Sequence, residues 1–138
     1  MVKAAKKFTE KNLNINSCPT ETRIFISDKQ KENAKKNMDL NKKNIIIGAG
    51  SSGITTRWGE INFINLINKM NSDDKYFFYI LCGPNESEIS EKILSSVQKK
   101  NCVTFVNNNI KEIIPTISLC DLYIGNDSFG HHVASQCG

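Results

Sequence analysis

Asp121-Leu122-Tyr123-Ile124-Gly125-Asn126-Asp127-Ser128-Phe129-Gly130-His131-His132-Val133-Ala134 decides the fold. Leu122 to Ile124 is an apolar run with the length of a buried strand. It passes directly into small and polar residues, and a helix-like segment follows. In open α/β sheets ligands collect at such strand ends, where the start of a helix offers free N–H groups to an anion.

The same unit recurs upstream. Asn44 to Ile47 is an apolar run ending at Gly48, as expected of a strand buried on both faces. A loop from Ala49 to Trp58 follows, then a helix from about Glu60 with Phe63, Ile67 and Met70 on one stripe. Tyr76 to Leu81 is the second strand, closed by Gly83-Pro84. Asn85 and Glu88 predict a capping box for a helix carrying Ile89, Ile93, Leu94 and Val97. Val103 to Val106 is the third strand. Ile110, Ile113, Ile114 and Ile117 form the next helical stripe, which Pro115 bends or shortens. Leu122 to Ile124 is the fourth strand. Four alternations of strand and helix predict right-handed crossovers and a parallel sheet with helices on both faces, an α/β Rossmann-like architecture.

Before the first of these strands, residues 1–43 read as a separate segment. Thr22 to Ile26 is a short strand candidate, and Ser27 with Gln30 forms a capping box for a charged helix through about Leu40. This segment holds 11 Lys and Arg against 5 Asp and Glu, whereas residues 44–138 hold 7 against 9. A solvated helix and linker account for that excess more simply than a nucleic-acid or membrane contact. The first eight residues are basic but lack the apolar core of a secretory signal. No apolar run approaches the roughly 20 residues of a membrane span. Charged residues at 23% and hydrophobic ones at 39% suit a globular domain. The five cysteines form no C-x-x-C pair and no zinc spacing, which favours a reducing, cytoplasmic setting and no metal.

In a sheet of order 3-2-1-4 the first and fourth strands are neighbours, and ligands bind outside their carboxyl ends. The loops there are Gly48-Ala49-Gly50-Ser51-Ser52-Gly53 and Gly125-Asn126-Asp127-Ser128, the two richest in glycine and hydroxyl groups. Glycines admit close backbone approach, Ser51, Ser52 and Ser128 can donate hydroxyl bonds, and Arg57 can offer a bidentate fork to phosphate. His132 can donate to a diphosphate or move a proton. Asp127 suits a loop cap or a sugar hydroxyl better than a phosphate. Trp58 either seats the helix on the sheet or lines the pocket. Gly48, Gly50 and Gly53 also match G-x-G-x-x-G, so a dinucleotide-binding module is the alternative. That fingerprint requires a helix opening within the glycines, and the β-branched Ile54-Thr55-Thr56 starts a helix poorly.

Gly48 to Ser52, Arg57-Trp58, Cys82-Gly83-Pro84-Asn85-Glu86, and Gly125 to Ser128 with His132 and Ala134 together resemble the C-terminal domain of glycosyltransferase family 9. These are the ADP-heptose:lipopolysaccharide heptosyltransferases and their relatives. The resemblance covers residues 12–138, and its most specific part is Asp127-Ser128 with His132. Phe129 stands where the family has glycine, and Arg57 lies one residue from the usual basic position. The resemblance implies the C-terminal half of a GT-B fold and a nucleotide-sugar donor such as an ADP-sugar, with no tightly bound cofactor. It places Ser51, Ser52, Arg57, Asp127, Ser128 and His132 at the donor diphosphate and sugar, and Glu86 at the nucleoside. It implies an inverting parent enzyme acting on a lipopolysaccharide-type acceptor, with peripheral contact at the inner membrane. The catalytic base is expected in an N-terminal domain outside this chain. The last strands of the sheet are expected beyond Gly138, so the chain reads as a truncated half, inactive alone, with residues 1–43 as interdomain segment and 44–138 as donor-binding domain.

Overall fold

The computed structural model describes residues 2–137. Its centre is a four-stranded parallel sheet of order β3-β2-β1-β4, with β1 Lys43–Gly48, β2 Tyr76–Leu81, β3 Cys102–Thr104 and β4 Leu122–Gly125. The helices are α1 Val2–Leu13, α2 Asp28–Lys35, α3 Glu60–Met70, α4 Ser87–Ser96, α5 Ile110–Ile117 and α6 Phe129–Cys137. The α/β class and the expected 3-2-1-4 order both hold.

Strand alternation builds two cores. Ile45 and Ile47 of β1 and Phe78 and Ile80 of β2 point to one face, where Phe63, Ile64 and Ile67 of α3 and Ile93 of α4 cover them. Ile46, Tyr79 and Leu81 point to the other, under Ile113 and Ile117 of α5 and Val133 of α6. A strand apolar at every position therefore needs helices on both sides. Pro115 falls in the last turn of α5 and leaves the helix eight residues long.

Five local expectations are corrected. Leu122 to Ile124 is a strand but not a buried one: β4 is the edge of the sheet, with Leu122 exposed and Tyr123 and Ile124 half-buried. Thr22–Ile26 is no strand. It runs extended, with the Ile24 N–H donating to the Gln136 carbonyl at 3.3 Å and the Ile24 side chain packing on the second core. The charged helix keeps its Ser27–Gln30 capping box but ends at Lys35 instead of Leu40. Tight turns follow, and Asp39 accepts the Asn41 N–H at 3.0 Å, an Asx turn that competes with helix. The third strand is Cys102–Thr104 and not Val103–Val106, because only the β2 edge is there to pair with it. The capping box expected from Asn85 and Glu88 before α4 does not form: Glu86 stands at the N-cap of α4 without a side-chain cap bond. Pro84 opens a 3-10 turn, Pro84–Glu86, and the Glu86 carboxylate accepts the Gly83 N–H at 2.8 Å. The basic N-terminal stretch is helical as α1, with Phe8 and Leu13 exposed. No helix among the described residues is long and apolar enough to cross a membrane.

Asp121 clamps the start of β4 to β1. Its carboxylate accepts from Lys43 Nζ at 2.7 Å and from the Asn44 N–H at 2.8 Å. The Lys43 hydrogen bond, then the Asn44 N–H, hold its carboxyl below the usual carboxylate range. A depressed folded-state pKa contributes stability above the unfolded value, about 3.9, that is lost as pH falls through the folded one. Asp121→Asn is expected to cost about 1 kcal/mol at neutral pH, since the pair is partly exposed. The mutant's urea midpoint should also fall less steeply than the wild type's below pH of about 4.

Candidate functional site

Gly48 and Gly125 face each other in the parallel register of β1 and β4. A Cβ on Gly125 would lie 2.6 Å from the Gly48 Cα, so the two strand ends meet backbone against backbone. The two loops leave the sheet from that contact, and Asn126 joins them. Its N–H donates to the Gly48 carbonyl at 2.9 Å. Its side-chain amide donates to the Ala49 carbonyl at 2.8 Å, and its Oδ1 accepts the Trp58 N–H at 2.9 Å. The Tyr123 hydroxyl donates to the Asn126 carbonyl at 3.3 Å. Asn126 is buried, and the bonds of its N–H and side-chain amide hold the glycine loop to the end of β4.

The glycine loop folds down onto β2. The Ala49 and Gly50 N–H groups both donate to the Leu81 carbonyl, at 3.1 and 3.3 Å. Ser51 is buried, with its hydroxyl 2.5 Å from Thr56 Oγ1, and its N–H donates to Glu86 Oε1 at 2.9 Å. Arg57 donates from Nε and Nη2 to the Ser51 carbonyl, at 3.0 and 2.7 Å, and from Nη2 to Glu86 Oε1 at 2.9 Å. Ser52 is exposed at the tip of the loop. Ser51, Arg57 and Glu86 thus form one network, and Ser52 is the hydroxyl of the pair that faces solvent.

Asp127, Ser128 and His132 gather at the start of α6. The Ser128 carbonyl accepts the His132 N–H at 3.3 Å, closing the first turn. The N–H groups ahead of it have no intrahelical acceptor, which leaves a local positive end beside the Ser128 hydroxyl. His132 Nε2 lies 3.7 Å from Asp127 Oδ1 at the exposed surface. His131 packs edge-on against His132 and tilts toward Tyr123. Burial pushes the Tyr123 phenol up, so it stays a neutral donor beneath the loop.

Trp58 packs edge-on against Phe63 of α3 with ring centroids 4.9 Å apart, while half its surface stays open. It therefore seats the helix and leaves the rest of its ring open to solvent. Helix α3 opens only at Glu60, after a 3-10 turn at Ile54–Thr56 and Gly59 at φ 93°. The glycines do not open a helix, so the geometry required by the dinucleotide fingerprint is unmet. Sequence reasoning missed Asn126, Thr56 and Tyr123 as parts of the site. The signal for Asn126 was present: a short amide directly after a glycine that ends a strand.

The model of glycosyltransferase family 9 (heptosyltransferase) matches residues 1–137. The chain belongs to glycosyltransferase family 9. The family 9 match takes in α1 and α2 as well as the sheet, reaching further toward the start than residue 12. Two solved structures share the fold. One is ADP-heptose lps heptosyltransferase II of E. coli, at TM-score 0.72 and 18% identity, over 83% of this chain and 37% of that one. The other is the family 9 glycosyl transferase of Veillonella parvula DSM 2008, at TM-score 0.74 and 18% identity, over 91% of this chain and 38% of that one. The chain thus spans less than two fifths of the length of either structure, and its Rossmann-like sheet corresponds to part of their GT-B fold. Comparison with curated protein sequences finds no match.

Proposed function

We propose that this chain is the donor-binding part of a glycosyltransferase that moves a sugar, heptose foremost, from an ADP-sugar to a lipopolysaccharide-type acceptor. The observation that carries the reading is the joining of two polar loops at the carboxyl ends of neighbouring strands. Asn126 holds Ser52 and Arg57 on one side of the crevice and the start of α6 on the other. Membership of family 9 supports sugar transfer as the reaction.

In this reading the diphosphate lies between the loops. Ser52, Ser128 and the first amides of α6 donate to its oxygens, and Arg57 supplies the cation. Arg57 Nε and Nη2 are committed to Ser51 and Glu86. Its Nη1 edge is the one left to meet an anion. His132 and Asp127 face the sugar side. Transfer is an inverting displacement: a base removes the acceptor hydroxyl proton, the oxygen attacks the anomeric carbon, and the bond to the diphosphate breaks. Donors already aimed at the leaving oxygens stabilise the charge that develops there. The setting is the cytoplasm, with peripheral contact at the inner membrane where the acceptor is presented.

Calorimetric titration tests this. ADP and an ADP-sugar are expected to bind, and NADH is not. Ser128→Ala should weaken ADP about tenfold with an unchanged melting temperature, as for one charge-assisted hydrogen bond. Unchanged ADP affinity in both Ser52→Ala and Ser128→Ala would sink the reading.

A further inference from the structure

Two glycines make room for one phenol. Tyr123 pairs with Ile46 in the register of β1 and β4, and its side chain packs on the second core, under α6. The ring leans along the strand toward its carboxyl end. A Cβ on Gly48 would stand 2.0 Å from the Tyr123 hydroxyl oxygen and 2.6 Å from Cζ. A Cβ on Gly130, in the first turn of α6, would stand 2.9 Å from Cε2 and 3.0 Å from the hydroxyl. The phenol therefore passes between the end of β1 and the start of α6. Its hydroxyl donates to the Asn126 carbonyl at 3.3 Å. Burial raises the pKa of the phenol, and the neighbouring Ser128 hydroxyl opposes that rise. The phenol oxygen thus stands against both residues that flank Asp127.

We propose that Tyr123 is a positioning residue for the diphosphate: its hydroxyl pins the Asn126–Ser128 turn over the end of β1 and so aims the Ser128 hydroxyl and the first amides of α6. The side chain and N–H of Asn126 are spent on the glycine loop and β1. Its carbonyl is the part left to the phenol. That carbonyl shares a rigid peptide plane with the Asp127 N–H, so the bond sets the direction in which the turn departs. An apolar ring would fill the space beside Gly48 and Gly130 equally well, and the hydroxyl is the part that packing does not require. A neutral phenol also adds no negative charge beside an anion, which a carboxylate in its place would.

The proposal rests on the diphosphate reading, and the test separates the two. Inorganic pyrophosphate and ADP are titrated into the wild-type chain, Tyr123→Phe, Ser128→Ala and the double variant, with a urea melt of each. Tyr123→Phe keeps the ring and removes only the hydroxyl. It is expected to weaken both ligands by the same factor, about fivefold, as for one neutral hydrogen bond. In the Ser128→Ala background it should cost only about twofold, because residues acting as a unit are not additive. Pyrophosphate should also perturb the near-ultraviolet absorption of a tyrosine in the wild type and not in Tyr123→Phe, as Ser128 turns from the phenol to the ligand.

Unchanged pyrophosphate affinity in Tyr123→Phe would make Tyr123 a packing residue alone and overturn the proposal. Losses that multiply fully in the double variant would make the hydroxyl an independent ligand contact and overturn it equally, as would the same tyrosine perturbation with and without the hydroxyl. A wild-type chain that binds neither ligand overturns the diphosphate reading itself, and this proposal with it. If Tyr123→Phe fails to fold, Gly48→Ala replaces it. Its methyl pushes the hydroxyl off the Asn126 carbonyl while the phenol stays in the chain, and the same loss of pyrophosphate affinity is expected. Unchanged affinity in Gly48→Ala would again leave Tyr123 to packing.

Discussion

Gly125→Ala is expected to destabilise the chain by about 3 kcal/mol or more, at the upper end of what overpacking produces. The added Cβ would lie 2.6 Å from both the Cα and the carbonyl oxygen of Gly48, and 2.8 Å from its nitrogen. All three are backbone atoms of the central strand, so no side-chain rotation relieves the clash. The strands must separate at the point where β1 pairs with β4. That also breaks the Asn126 N–H bond to the Gly48 carbonyl. Gly130→Ala makes a useful comparison. There the nearest atoms are Leu81 Cδ2 at 2.6 Å and the Tyr123 ring, side chains that can move. Urea denaturation of the two mutants should give a markedly larger loss for Gly125→Ala. Equal losses, or a loss below about 1 kcal/mol at Gly125, would mean that β1 and β4 do not meet as described.

That contact marks the boundary of what the residues reveal unaided. The sheet was legible because each strand is apolar at consecutive positions, as Ile45-Ile46-Ile47 and Tyr79-Ile80-Leu81 show, and each is followed by a helical stripe. The two loops were legible because topology places them side by side and their composition agrees. Hydrogen bonds between distant loops were not legible. Ser51 and Ser52 look interchangeable in sequence, yet one is buried against Thr56 and the other exposed. Glu86 lies 35 residues from Ser51, and no local pattern announces that its carboxylate closes the glycine turn. Thr22–Ile26 misled for a related reason. β-branched and aromatic residues suit a strand, but a strand also needs an edge to pair with, and this segment instead runs beside the end of α6.

Asn126→Ala is expected to lose about 2–4 kcal/mol and to weaken ADP by more than the single-contact mutants do. The substitution leaves the Ala49 carbonyl and the Trp58 N–H without the partner that now satisfies both. Each unpaired buried group costs about 1–3 kcal/mol. The effect on binding follows from where those groups sit. Ala49 begins the glycine turn and Trp58 ends the Arg57 segment, so both ends of the loop lose their tie to β4. Asn126→Asp sharpens the test. It keeps an oxygen for the Trp58 N–H but sets a second oxygen against the Ala49 carbonyl. It should therefore be nearly as damaging as alanine, although it differs from asparagine by one group of equal size. A mutant that stays within about 1 kcal/mol of wild type and binds ADP normally would show that the loops hold their places without the amide. If instead stability and ADP affinity fall together, one side chain that never touches the ligand sets the spacing between the two halves of the diphosphate cradle.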